Sequence, residues 1–467
     1  MEAILVHQYH NNGYNIALDV DSGSVHIVDD LVYDVIAKLK DNPECPDETV
    51  IASVSGRYPE ADVREALEEV RYLQKEGQLF ARDIYRDSVL DFRKRQTVVK
   101  ALCLHIAHDC NLACEYCFAE EGEYHGRRAL MSYEVGKKAL DFLVDHSGSR
   151  RNLEVDFFGG EPLMNFQVVK DLVAYGRSLE KEKDKHFRFT ITTNGVLLND
   201  EIMEFCNAEM DNVVMSLDGR REVHDRMRPF RNGKGSYDLI VPKFQKFAAL
   251  RKALGKQFYI RGTFTHYNLD FAQDILHFAD LGFDQLSMEP VVTDPSSPSA
   301  ITKEDLPVVF EQYEELARLM VERYNEGRPF TFYHYMLDLT CGPCIYKRIA
   351  GCGSGTEYLA VTPWGDLYPC HQFVGDEAYK MGSIYDGVQN LELRDKFASC
   401  NAYSRPECKD CWAKLYCSGG CAANSYHASG DINGIYEMGC DIFRKRIECA
   451  IAVKLLTSGL EQPGKEN

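Results

Sequence analysis

The sequence predicts an α/β protein: a parallel sheet of six strand-helix units curved into a partial barrel, with a small mixed module before it and a metal-organised Cys-rich region after it. Three observations carry this prediction. Strand-like apolar runs alternate with amphipathic stretches from residue 98 to about 292. Residues 1–82 read as three short strands followed by three helices. Seventeen cysteines are placed unevenly, three of them at 110–117 and most of the others between 341 and 449.

In the first module, strand-like stretches at 4–9, 14–18 and 25–28 are separated by the turn signals Asn12-Gly13 and Ser22-Gly23. Leu31, Val32, Val35, Ile36 and Leu39 share one face of a first helix, and Val63, Leu67, Val70 and Leu73 one face of a last, with a loop at 42–47 between them. This arrangement is winged-helix-like, a form that binds nucleic acid or clasps a peptide along an exposed strand edge. The net charge of −19 favours the peptide, because phosphate backbones are held by clustered Lys and Arg. The basic segment 221–231 still suits one small anionic ligand. Residues 83–97 form a bridge.

The barrel strands are expected at 98–106, 153–158, 187–192, 212–217, 258–265 and 285–289, with helices such as 132–145 and 237–254 between them. Such a sheet carries function at the C-terminal ends of its strands. The barrel is placed at 98–328 and the Cys-rich region at 329–467, where periodicity fades and metal is expected to organise the chain. No apolar run approaches the roughly eighteen residues that span a bilayer, and the first residues lack a basic-then-apolar export pattern. A cytoplasmic protein with no membrane and no nucleic-acid partner is therefore expected, and in that setting so many cysteines point to metal rather than disulfides.

The chemistry begins directly after the first barrel strand, with Cys110-Asn-Leu-Ala-Cys114-Glu-Tyr-Cys117. Three thiolates on a [4Fe-4S] cluster leave one iron free to chelate an external molecule. A zinc knuckle lacking its fourth ligand, or plain core cysteines, are the alternatives. These three cysteines, with Tyr116 before the last, resemble the signature of the radical S-adenosylmethionine (SAM) superfamily. Three further segments resemble its SAM contacts, Gly159-Gly160-Glu161-Pro162, Thr192-Thr193-Asn194-Gly195 and Ser216-Leu217-Asp218-Gly219, and Met288 and Glu289 at the end of the sixth strand are expected to flank the adenine. Taken alone, a glycine pair is a tight turn, the Thr-Asn and Ser-Asp segments are helix caps, and a strand-end Met is core. An Arg in the run 224–231 is expected to pair with the methionyl carboxylate, Arg228 first, with Arg226 and Arg231 as alternatives.

The later cysteines follow their own spacing: Cys352, Gly365-x4-Cys370, Cys408-x2-Cys411-x5-Cys417-x3-Cys421, and Cys440. Two structural zincs are the alternative. The pattern resembles the SPASM extension of radical SAM peptide-modifying enzymes, which binds two auxiliary [4Fe-4S] clusters. By that resemblance Cys352, Cys370 and Cys421 hold the first, its fourth site open or filled by Cys344 of the 341–344 pair, and Cys408, Cys411, Cys417 and Cys440 hold the second. Cys45, Cys103, Cys206, Cys400 and Cys449 fit no motif. The opening stretch 13–26 resembles the start of the SCIFF maturases, which install thioether crosslinks in a six-cysteine peptide.

The resemblance implies three [4Fe-4S] clusters, SAM, a precursor peptide whose leader sits on residues 1–82, and a flavodoxin- or ferredoxin-type electron donor. A sulfatase-maturing enzyme that makes formylglycine is the nearest rival, but it needs no leader-binding module. A non-catalytic iron-sulfur carrier or peptide scaffold would not need the SAM-contact segments.

Overall fold

The alternating residues at the N-terminus become an antiparallel sheet of β1 (Val6–Asn11), β2 (Tyr14–Asp19) and β3 (Val25–Val28), in that order. In the computed structural model, which describes residues 4–86, 97–124, 126, 128–340 and 344–458, the β1–β2 turn puts Asn12 and Gly13 at φ 48° and 85°. Asn-Gly is favoured there because a tight hairpin turn needs positive φ at both positions. Helices α1 (Asp30–Leu39), α2 (Asp47–Val54) and α3 (Glu60–Lys75) follow, α1 capped by the Asp29 side chain accepting from the Val32 N–H.

Strand alternation gives this sheet two apolar faces. Ala17 packs into a core with Val35, Ile36, Val63, Leu67 and Val70. Ile16 and Leu18, on the opposite face, pack with Tyr9 against Ile447, Ile451 and Leu455 of the helix Glu437–Thr457. The module therefore shares a core with the far end of the chain.

The main sheet contains β4 (Ala101–His108), the short β5 (Ala129–Leu130), β6 (Asn152–Gly159), β7 (His186–Thr193), β8 (Asn212–Ser216), β9 (Gln257–Phe264) and β10 (Gln285–Pro290). Apart from β5, which pairs antiparallel with β4, these strands run parallel in chain order. These are the six strands that the sequence predicts. Both ends of the sheet are extended by later residues: β11 (Thr331–Phe332) pairs parallel with β10, and β12 (Tyr358–Val361) parallel with β4. Antiparallel β13 (Asp366–Tyr368), β14 (Gly382–Ser383) and β15 (Gly387–Val388) continue from β12, so the path is open from β11 to β15.

The faces of the sheet differ in chemistry. Leu153, Val155 and Phe157 of β6, Phe187, Phe189 and Ile191 of β7 and Phe258, Ile260 and Phe264 of β9 are buried in the main core. The alternate positions, Thr192, Ser216, Arg261 and Thr263, line a cavity. A sheet curved around a site needs apolar cover on its convex side only. Among the described residues no helix is long and apolar enough to cross a membrane.

Candidate functional site

The loop after β4 is braced by the segment after β8. Ala113 N–H donates to Pro229 O at 2.9 Å and Glu115 N–H to Met227 O at 3.0 Å. Arg231 donates to Asp109 Oδ1 at 3.1 Å and to Cys110 O at 2.8 Å. This loop carries Cys110, Cys114 and Cys117 into a cavity of ≈580 Å3.

Gly159 and Gly160 end β6 against the same loop. A Cβ on Gly159, whose φ is +120°, would meet Ala107 O at 2.3 Å, and one on Gly160 would meet Asp109 O at 2.1 Å. The close approach that these glycines permit is to the backbone of the Cys-bearing loop, with Gly160 N–H donating to Ala107 O at 2.7 Å. The next residue, Glu161, is fully buried and ties two strand ends together. Its carboxylate accepts from Leu163 N–H at 3.0 Å, Thr193 Oγ1 at 2.8 Å and Asn194 N–H at 2.8 Å. The Asn194 side chain in turn donates to Asn111 Oδ1 at 2.7 Å.

A second buried carboxylate, Asp218, organises the opposite side. Tyr116 donates its hydroxyl to Asp218 Oδ2 at 2.6 Å, Arg228 Nε stands 2.9 Å from the same oxygen, and Thr263 N–H donates to Oδ1 at 3.0 Å. Of the three arginines that the sequence offers for an anionic ligand, Arg228 lines the cavity, already facing Asp218. Arg226 lies over the Tyr267 ring and Arg231 is held at Asp109. Met288 falls on the helix-covered side of β10 and is buried in the core, while Glu289, one residue on, lines the cavity and pairs with Arg446 at 3.1 Å. Strand parity puts one in the core and the other in the wall.

The far wall is formed by the C-terminal region, including Cys417, Cys421, Cys440 and Asn424. Cys421 and Cys352 both act on the thiol of Cys370, which burial pushes up to about 12. Cys440, Cys408 and Cys411 act in the same way on Cys417, likewise driven by burial to about 12. These are members of the two sets that the resemblance implies. Cys344 is exposed, and Cys341 lies outside the described residues.

Residues 99–241 match the model of a 4Fe-4S single cluster domain. The serine-type anaerobic sulfatase-maturating enzyme of Bacteroides thetaiotaomicron is 27% identical over 69% of this chain and 82% of its own length. The radical SAM cyclopropyl synthase TigE of Paramaledivibacter caminithermalis is 23% identical over 74% and 72%. In fold, the chain is similar to anSMEcpe with bound AdoMet (TM-score 0.64, 19% identity, 78% of this chain and 96% of that one). It is also similar to Streptococcus suis SuiB bound to precursor peptide SuiA (TM-score 0.52, 16%, 93% and 98%). The chain is a relative of the radical SAM/SPASM peptide maturases.

The residues of this radical SAM relative suit clusters and SAM. Burial raises the Cys110 thiol to about 11 and the Cys114 thiol to about 12, so both are held as neutral thiols that lose their protons on binding iron. Tyr124 Oη, Asn424 Oδ1 and Arg446 Nε are buried without hydrogen-bond partners among the described residues, on side chains that line the cavity, as a polar occupant requires. Among the described residues no three His, Cys, Asp or Glu side chains converge as they would on a single metal ion. A four-iron cube instead spreads its thiolates over separate corners. Three residues were missed by the sequence reading: Asp218 as anchor, Arg446, and Cys400, whose thiol lies in the electrostatic reach of Cys352 and Cys421.

Burial raises the Glu161 carboxyl from 4.5 to about 7, against the three hydrogen bonds that favour its ionised form. Between these values the folded protein keeps a proton that the unfolded chain has lost. The Glu161 contribution to stability is thus fully present below the unfolded value and is lost as pH rises toward about 7. Urea titrations of cluster-free protein at several pH values should show this loss, about 3 kcal/mol. Glu161→Gln should flatten that part of the profile.

Proposed function

We infer that this radical SAM relative installs Cys-derived thioether crosslinks in a ribosomally made six-cysteine precursor peptide, held by its leader on residues 1–82. The observation that carries this reading is one cavity lined both by Cys110, Cys114 and Cys117 and by Cys417, Cys421 and Cys440. A peptide reaching into it stands between an initiating centre and an auxiliary one. When bound, the clusters and SAM supply reductive cleavage to a 5′-deoxyadenosyl radical, an iron site for a thiolate, and a sink for the remaining electron.

The chain supplies position and enclosure. Cys110, Cys114 and Cys117 would hold the SAM cluster, and Cys352, Cys370 and Cys421 the first auxiliary cluster with one iron open. Cys408, Cys411, Cys417 and Cys440 would hold the second. Gly159, Gly160, Glu161, Thr193, Asn194 and Ser216 shape the SAM side of the cavity, and Tyr116, Asp218 and Arg228 fix its floor. The outer strand β3 can accept a leader as an added strand. SuiB, which binds a precursor peptide, is matched over 93% of this chain, and anSMEcpe over 78%, a difference that favours a leader-holding module over the sulfatase-maturing reading. A flavodoxin- or ferredoxin-type donor and a cytoplasmic setting go with this chemistry.

Anaerobic reconstitution with SAM, dithionite and a six-cysteine precursor is expected to give 5′-deoxyadenosine together with a peptide two hydrogens lighter per crosslink, each crosslink removing one alkylatable thiol. A formylglycine product in place of thiol-consuming crosslinks would favour the sulfatase-type reading. 5′-Deoxyadenosine with an untouched peptide would retain the radical SAM reading and reject this substrate.

A further inference from the structure

Arg405 is 1% exposed and among the largest fully buried side chains. Its Nη2 donates to Ile432 O at 2.6 Å and to Cys400 Sγ at 3.1 Å, and its Nε is buried with no hydrogen-bond partner among the described residues. Among the described residues no carboxylate lies within ion-pair distance of it. Arg251, which is also fully buried, provides the contrast: its guanidinium donates to the carbonyls of Cys206, Met210, Asp211 and Gln257. A permanently charged guanidinium left short of partners in the interior is costly unless negative charge surrounds it.

The polar side chain that Arg405 does reach is a thiol, that of Cys400. The Arg405 carbonyl accepts from Cys408 N–H at 3.1 Å. Nη1 fits against Gly419, between Cys417 and Cys421, where a Cβ would approach to 2.7 Å. Arg405 also lines a small cavity with Cys352, Cys400 and Gly420. Cys421 and Cys352 belong to one cysteine set, and Cys408, Cys417 and Cys440 to the other.

We propose that Arg405 is a shared counter-ion set between the two auxiliary cluster sites, holding the reduction potentials of both up. This rests on the ligand sets inferred above. The reduced state of an iron-sulfur cluster carries one more negative charge, so a fixed cation nearby stabilises it, and in a buried site that effect is weakly screened. One side chain serving both sites also makes their potentials move together.

The test uses full-length protein, reconstituted anaerobically, with iron and sulfide counts and redox titration followed by EPR on the wild type, Arg405→Gln and Arg405→Lys. In Arg405→Gln both auxiliary signals should need a lower potential, with at least a tenfold smaller reduced-to-oxidised ratio at a fixed poise, about 59 mV. The signal of the cluster at Cys110, Cys114 and Cys117 should not move. Arg405→Lys keeps the charge and should restore most of the shift. If the glutamine variant does not load its auxiliary clusters, the lysine variant decides: loading with near-native potentials supports the counter-ion role. Unshifted auxiliary potentials in Arg405→Gln overturn it, as does a lysine variant that behaves like glutamine. Wild-type protein with iron for one cluster only would overturn the ligand sets themselves.

Discussion

Replacing Cys114 with alanine should abolish 5′-deoxyadenosine formation and lower the iron content by about four per chain, the loss of one four-iron cluster. Cys114 is the middle thiol of the loop after β4, and burial raises it to about 12, above Cys110. Removing it leaves two sulfurs on a loop whose backbone is already pinned to Pro229, Met227 and Arg231. The side chains beside it do not substitute: Arg228 is a cation, and Tyr116 is committed to Asp218. Nucleoside chromatography and iron assay check the result, with Cys206→Ala as control, because Cys206 lies in the main core. Undiminished SAM cleavage in Cys114→Ala would remove this loop from the initiating site.

The motifs were legible because each sits where a strand stops, and the strands are apolar runs bounded by polar turns. Helix Glu437–Thr457 was not legible. It buries Ile447, Cys449, Ala450, Ile451 and Ala452 in succession, because the N-terminal sheet covers one side and the barrel another. A helix covered on several sides shows no stripe. The resemblance sorts the later cysteines into sets, but it cannot show that Arg405 and Cys400 lie close to them, since nothing local marks a counter-ion. The choice between Met288 and Glu289 turned on strand parity, which a motif match ignores. Strands β11 and β12 went unread because edge extensions this short carry too few apolar residues to signal.

Lys414→Ala should destabilise the protein by about 3–5 kcal/mol, the usual cost of removing one partner from a buried ionic cluster. Lys414 is wholly buried between Asp83, 2.7 Å from its Nζ, and Asp21, at 3.0 Å. Although burial opposes it, the Lys414 bond and the Tyr403 hydroxyl hold the Asp83 carboxyl below its usual range, whereas burial dominates at Asp21 and raises it. Without the ammonium, two carboxylates would face one another out of water. The same loop is gripped twice more: Asp410 pairs with Arg86, and Trp412 stacks on His7 of β1 with ring centroids 3.8 Å apart. His7 also bonds Glu448 at 2.9 Å, on the helix that carries Cys440. Residues 412 and 414 thus hold the N-terminal module through His7 and Asp21, 410 and 414 hold the bridge after it through Arg86 and Asp83, and 408, 411 and 417 carry the sulfurs. Deleting residues 1–82 would therefore strip anchors from a cluster loop as well as remove the leader site. Urea midpoints should fall for Lys414→Ala and recover largely in Lys414→Met combined with Asp21→Asn and Asp83→Asn, since an uncharged cluster no longer buries unpaired charge. A loss below about 1 kcal/mol for Lys414→Ala would place this contact among surface ion pairs in energy and make the deletion a clean test of leader binding.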